Sequence, residues 1–295
     1  MSTTVQQAPG QLSGTVLFYK QPEPLSPEMH GKMGVKTMDG PFGFAKEGHA
    51  IPLTVGEFPL AAVTGPIIFV GEEKLPIAVM GLNAGENMFL RPDGLFEPGV
   101  YIPAYIRRYP FVFANDEQAQ KMVLCIDRQA EFVVEKNPDQ PFFDDAGQPS
   151  QYTKNCIDFC NNFEIERQRT MSFVELLKAH DLFESKTATF TPMNPDGTQG
   201  EPQKIAEYFG VSEERLNKLP ADKYIALRDN GALAQIHAHL LSLVGWDRLV
   251  ALAIAKQNAT PQAANAYRVP PLMGRDSSPK ASRVGRPRPF AGSRG

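Results

Sequence analysis

Arg107-Arg108-Tyr109 is the only adjacent pair of arginines in this 295-residue chain, and a phenol follows it directly. A guanidinium presents a planar fork of donors that matches a carboxylate or a phosphate, so two in tandem can form an anion site. The same pair can instead neutralise the C-terminal end of a short helix and pair with Asp127 or Glu131. With Asp127 and His237 added, the candidate ligand-binding set is Arg107, Arg108, Tyr109, Asp127 and His237. Asp127 also has a plainer reading as a turn-former at a strand end, where Asn83 is its counterpart. His237-Ala238-His239 puts two imidazoles on nearly opposite sides of a helix, so they cannot chelate one metal. His237 shares the face of Leu233, Leu240 and Leu241, where a hydrogen-bonded core histidine is expected, and His239 is expected to face solvent.

Cys156 and Cys160 stand one helical turn apart, but zinc would need two further ligands, and no CxxC or HxxxH partner pair exists. Both lie on an apolar stripe, so buried free cysteine is expected. Asp144 and Asp145 belong to a Gly-Pro-containing turn. No GxSxG, no P-loop and no GxGxxG opening a helix is present. No catalytic residue, metal ligand or cofactor site is therefore expected, and binding is favoured over catalysis.

The arginine pair sits inside a stretch that is written twice. Phe58-Pro59-Leu60-Ala61, Pro66-Ile67-Ile68-Phe69 and Val79 to Asn83 recur as Ile102-Pro103-Ala104-Tyr105, Pro110-Phe111-Val112-Phe113 and Val123 to Asp127, always at an offset of 44. Self-similarity at a fixed offset is an architectural signal. Pro59 and Pro103 suit a first helical turn, Pro66 and Pro110 end it, and apolar β-prone residues on either side of a polar turn follow. Each unit (57–90 and 101–134) thus reads as a helical turn plus a β-hairpin. The two are expected to pair about a pseudo-twofold axis into one antiparallel sheet. The copies disagree most at Arg107-Arg108-Tyr109, opposite Val63-Thr64-Gly65.

Upstream, Thr15 to Tyr19 reads as a first strand. From Ser150 the period turns helical, with Tyr152, Cys156, Phe159, Cys160, Phe163, Thr170, Val174 and Leu177 on one stripe until about His180. Thr187–Phe190 and Ile205–Phe209 are expected to pair across the Asn194-Pro195-Asp196-Gly197 turn. Ser212 and Pro220 open two further helices, and Leu233, Ile236, His237, Leu240, Leu241 and Val244 form the apolar face of a last one. The expected fold class is α+β: a β-rich part over 1–149, a mostly helical part over 150–258 packed on it, and a disordered Pro/Gly/Ser-rich tail over 259–295.

Hydrophobic residues make 42% of the chain and charged ones 21%, ordinary for a globular protein. The net charge is −3 but uneven, since residues 268–295 hold seven Lys/Arg and one acid (+6), which leaves −9 for 1–267. Three cysteines do not make a disulfide framework. The N-terminus lacks a signal-peptide pattern, and 233–254 is interrupted by charges and histidines, so no spanning helix and a cytoplasmic location are expected. Nucleic-acid contact through the basic tail is a weaker alternative.

The chain resembles the bacterial SapC family over roughly residues 14–255. The resemblance rests on Glu57-Phe58-Pro59, Gly81-Leu82-Asn83-Ala84-Gly85-Glu86-Asn87, the run Tyr101 to Ala114, Phe143-Asp144-Asp145-Ala146-Gly147-Gln148-Pro149 and His237-Ala238-His239-Leu240-Leu241-Ser242-Leu243. It implies an association, by family name, with bacterial surface-layer (S-layer) proteins. It also implies proximity to halogenase-like and TonB-dependent uptake systems, hence a non-enzymatic accessory role with a protein partner. It brings no catalytic residues. The alternative is a small-anion-binding protein or enzyme with its site near Arg107 and Arg108.

Overall fold

A computed structural model describes residues 16–116, 121–192 and 198–259; the expected tail over 259–295 lies outside them apart from its first residue. The predicted first strand at 15–19 is a turn where described, with Phe18 at φ 77°. Strand β1 instead takes Pro22–Pro24. Proline cannot donate to a ladder, which suits it to an edge strand. Next come α1 (Pro27–His30), β2 (Gly34–Val35), β3 (Ala50–Pro52), α2 (Phe58–Ala61), β4 (Ile67–Val70) and β5 (Leu75–Val79). After them stand α3 (Ala104–Arg107), β6 (Phe111–Asp116), β7 (Lys121–Asp127), β8 (Val133–Val134) and β9 (Gln140–Pro141). The second half holds α4 (Gln151–Ala179), β10 (Phe183–Phe190), β11 (Gln203–Val211), α5 (Glu213–Asn217), α6 (Ala221–Asp229), α7 (Ala232–Ser242) and α8 (Gly245–Ala259).

Both stretches of the expected repeat carry one helical turn followed by an antiparallel hairpin, with Ile67 opposite Ala78 in the first and Phe111 opposite Ile126 in the second. They do not share a sheet, contrary to expectation. Strands β4 and β5 belong to a five-stranded sheet ordered β10-β11-β4-β5-β3, whereas β6 and β7 form a sheet ordered β1-β7-β6. The reason lies in who takes the free edges. Strand β3 pairs along β5, and β11 reaches β4, so no edge of the first hairpin is left for the second. The second hairpin packs Phe111 and Ile126 with Phe142, Phe143 and Cys160 near the start of α4. A third small sheet is ordered β8-β2-β9.

The predicted hairpin in the second half forms as β10 and β11, with Phe183 opposite Val211; its turn at 194–197 lies outside the described residues. Helix α4 is also as predicted. The Ser150 hydroxyl accepts from Thr153 N–H at its start, and Thr153, Cys160, Phe163, Thr170, Phe173, Val174 and Leu177 are buried along it. This face closes a core that includes Phe58, Phe69, Val211 and Ile236. Ser212 caps α5, and Pro220 precedes α6.

Helix α7 is rotated from its expected face. His239 is fully buried and His237 exposed, the reverse of the prediction, while Leu241 and Val244 are 71% and 72% exposed. Strands β4 and β11 pair directly at Phe69 and Phe209. Two residues on, where Ile67 and Val211 would face each other, the ladder is open and the His239 ring fills it. Its Nδ1–H donates to Ile67 O at 2.9 Å, and its Nε2 accepts from Val211 N–H at 3.0 Å. Ser242 Oγ accepts from Ile67 N–H at 2.8 Å and donates to His239 O at 2.6 Å. Buried backbone groups without partners are costly, so α7 turns its polar pair inward at the expense of two aliphatic side chains. Where α8 begins, Gly245 lies on the backbone of Gly65, and a Cβ there would sit 2.8 Å from it. Contrary to the expectation drawn from its charges and histidines, Ala232–Lys256 is long and apolar enough, at mean hydropathy 1.4, to cross a membrane by length and composition.

Candidate functional site

The corner at Arg107-Arg108-Tyr109 divides three residues among three different tasks. Arg107 is exposed; its Nε donates to Ile102 O at 2.9 Å and a terminal nitrogen to the Tyr101 hydroxyl at 3.1 Å. Tyr101 in turn donates to Glu57 Oε1 at 2.9 Å. Glu57, buried, also accepts from Ala104 N–H, Thr54 N–H and the Thr54 hydroxyl at 2.6–2.8 Å. Burial and this carboxylate together push the Tyr101 phenol up to about 12. Thr54 and Glu57 form a capping box, which the T-x-x-E spacing in the sequence signals.

Tyr109 is committed to Asp127. Its hydroxyl donates to Asp127 Oδ2 at 2.9 Å. The same carboxylate accepts Lys20 N–H at 2.9 Å, Gln21 N–H at 2.8 Å and Gln129 N–H at 3.2 Å. Asp127 is fully buried and holds the segment entering β1 against the end of β7. Its acceptor capacity is spent within the fold, and it reads as a structural clamp. His237, exposed on α7, lines none of the cavities that Arg107 or Arg108 border.

Arg108 is different. Its Cζ lies 4.2 Å from the Tyr105 ring centroid, 4.5 Å from that of Phe163 and 6.0 Å from that of Tyr19. Among the described residues no carboxylate forms an ion pair with it, and its Nε is buried without a hydrogen-bond partner. Burial raises the Tyr105 phenol above its usual range, and the guanidinium beside it draws it partly back. Glu164 feels the same positive field, but its oxygens are taken by Arg167 at 2.6 and 2.8 Å. A half-buried cation held mainly by aromatic faces is stabilised by their quadrupoles, yet retains donor capacity for an anion.

Two cavities meet this side chain. One, of ≈ 350 Å³, lies between the arginine corner and the start of α4, where Tyr152, Cys156 and Cys160 stand. Burial raises these thiols to about 11 and about 12 respectively, so neither is a nucleophile at neutral pH. The other, of ≈ 440 Å³, is walled by Leu53, Pro76, Ile77, Met171 and Val174, with Tyr105, Phe163 and Arg108 completing it. A larger cavity, ≈ 670 Å³ between α4 and the start of α7, contains none of the predicted site residues. Among the described residues, no group of three or more His, Cys, Asp or Glu side chains is placed to hold a metal ion.

Helices and antiparallel sheets mixed in this way define an α+β protein, with a guanidinium that has no carboxylate partner among the described residues bordering an apolar cavity. The chain belongs to the SapC family, whose model matches residues 25–249. No curated protein and no solved structure matches it.

Proposed function

We propose that this SapC-family chain is a binding protein whose ligand is an anion held at Arg108. One observation carries the reading: a guanidinium whose buried Nε has no hydrogen-bond partner among the described residues, bordering two cavities. Unmade hydrogen bonds of buried charged groups are expensive, and an anion that supplied them would recover that energy. The two helix-hairpin stretches are read here as copies of one unit, with the site arising where the second has acquired Arg107-Arg108-Tyr109. An accessory role beside surface-layer, uptake or halogenase-like modification proteins goes with this reading, on the strength of the SapC resemblance alone.

Acetate, phosphate and sulfate, titrated separately, are expected to raise the Tm of the wild-type chain. Arg108→Gln should lose that response and Arg107→Gln should keep it. A response equally strong in Arg108→Gln, or no response in the wild type, would remove the anion reading.

A further inference from the structure

The cavity beside Arg108 also says what the rest of the ligand is made of, on the premise that Arg108 is an anion site. Its volume, ≈ 440 Å³, falls in the range that holds small organic molecules. Leu53 and Val174 are buried in it, while Leu75 and Met171 stand 54% and 51% exposed at its margin. Large apolar side chains left uncovered around a concavity mark a binding surface, and a methionine there can adapt to an irregular partner.

The polar groups of this wall are already engaged. Thr54 Oγ1 donates to Glu57 at 2.8 Å, and Thr170 Oγ1 accepts from Val55 N–H at 2.8 Å and donates to Glu166 O at 2.6 Å. The marginal cations are already paired: Lys178 is shared by Glu175 and Glu73 at 2.9 and 3.6 Å, which leaves one negative charge over at the rim, and Arg167 holds Glu164. Arg108 is therefore the cation without a counter-ion among the described residues that line this wall. A phosphate or sulfate would satisfy it with some of its oxygens and strand the others against hydrocarbon, at a cost. A group with two acceptor oxygens on an apolar body leaves none stranded.

We infer that the cavity bordered by Arg108, Tyr105 and Phe163 binds an amphipathic carboxylate, its head on the Arg108 guanidinium and its apolar body between β5 and α4. Calorimetric titration of the full chain with straight-chain carboxylates from butanoate to dodecanoate, their matched primary alcohols and inorganic phosphate tests this. Affinity should rise about fourfold per added methylene until the cavity is full. Each acid should bind about tenfold or more tighter than its alcohol, and Arg108→Gln should erase that preference. Met171→Trp, which obstructs the margin without touching Arg108, should flatten the chain-length dependence, so the inference does not hang on one variant's folding.

The outcomes separate the two readings. Phosphate or butanoate bound through Arg108 with no gain from longer chains would overturn the amphipathic ligand and leave the anion site standing. Acids and alcohols bound equally would overturn both, and so would the absence of any binding.

Discussion

His239 shows how one side chain can hold a fold by staying neutral. Buried between Ile67 O and Val211 N–H, it donates through one nitrogen and accepts through the other, a pattern that imidazolium cannot make. Burial lowers its pKa from 6.5 to about 4. As pH falls, the unfolded chain therefore takes up this proton first, and stability drops. The contribution is complete above about pH 6.5 and is lost progressively toward pH 4, for a total of about 3 kcal/mol. Urea unfolding at stepped pH values should show this decline, and His239→Gln should show a shallower one. An identical decline in both would place the effect on other groups. Asp127 and Arg108 make the opposite pair. The first is a buried charge with four donors, the second a half-buried charge whose Nε has no acceptor. The sequence placed both in one candidate site because residue type alone carries no information about which partners are already taken.

At the level of elements, helix α4 and the hairpin of β10 and β11 were legible. An apolar stripe at spacings of three and four persists through α4, and the β-prone runs at 187–190 and 205–209 fall within β10 and β11. The face of α7 was not. Counting aliphatic residues selects Leu241 and Val244, whereas the decisive pair is His239 and Ser242, three apart. Their task is set by Ile67, far away in the sequence, whose N–H and C=O both lack a strand partner at that point. Ser242→Ala should therefore cost about 1–3 kcal/mol, since it strands Ile67 N–H in the core. Leu241→Ala, on the exposed side of the same helix, should fall within about 0.5 kcal/mol of wild type. Denaturant midpoints of the two variants give the comparison, and equal losses would mean that α7 is seated otherwise.

Across the whole molecule, the two helix-hairpin stretches were recognisable as elements, but the sheet each would join was not. Edge competition decided that, through β3 and β11, and neither belongs to the repeated pattern. The cage around Arg108 was hidden for a similar reason: Tyr19, Tyr105 and Phe163 come from three separated parts of the chain. The open rung between β4 and β11 has a dynamic consequence. The five-stranded sheet is closed at that seam by a helix and not wholly by its own backbone, so the protection of Ile67 and Val211 amides is governed by α7. In native-state hydrogen exchange these two amides should open together with α7, ahead of Phe69 on the same strand and as one cooperative unit. A sheet that borrows its closure from a helix has an unlocking step, and here that step can be set by a single proton on His239.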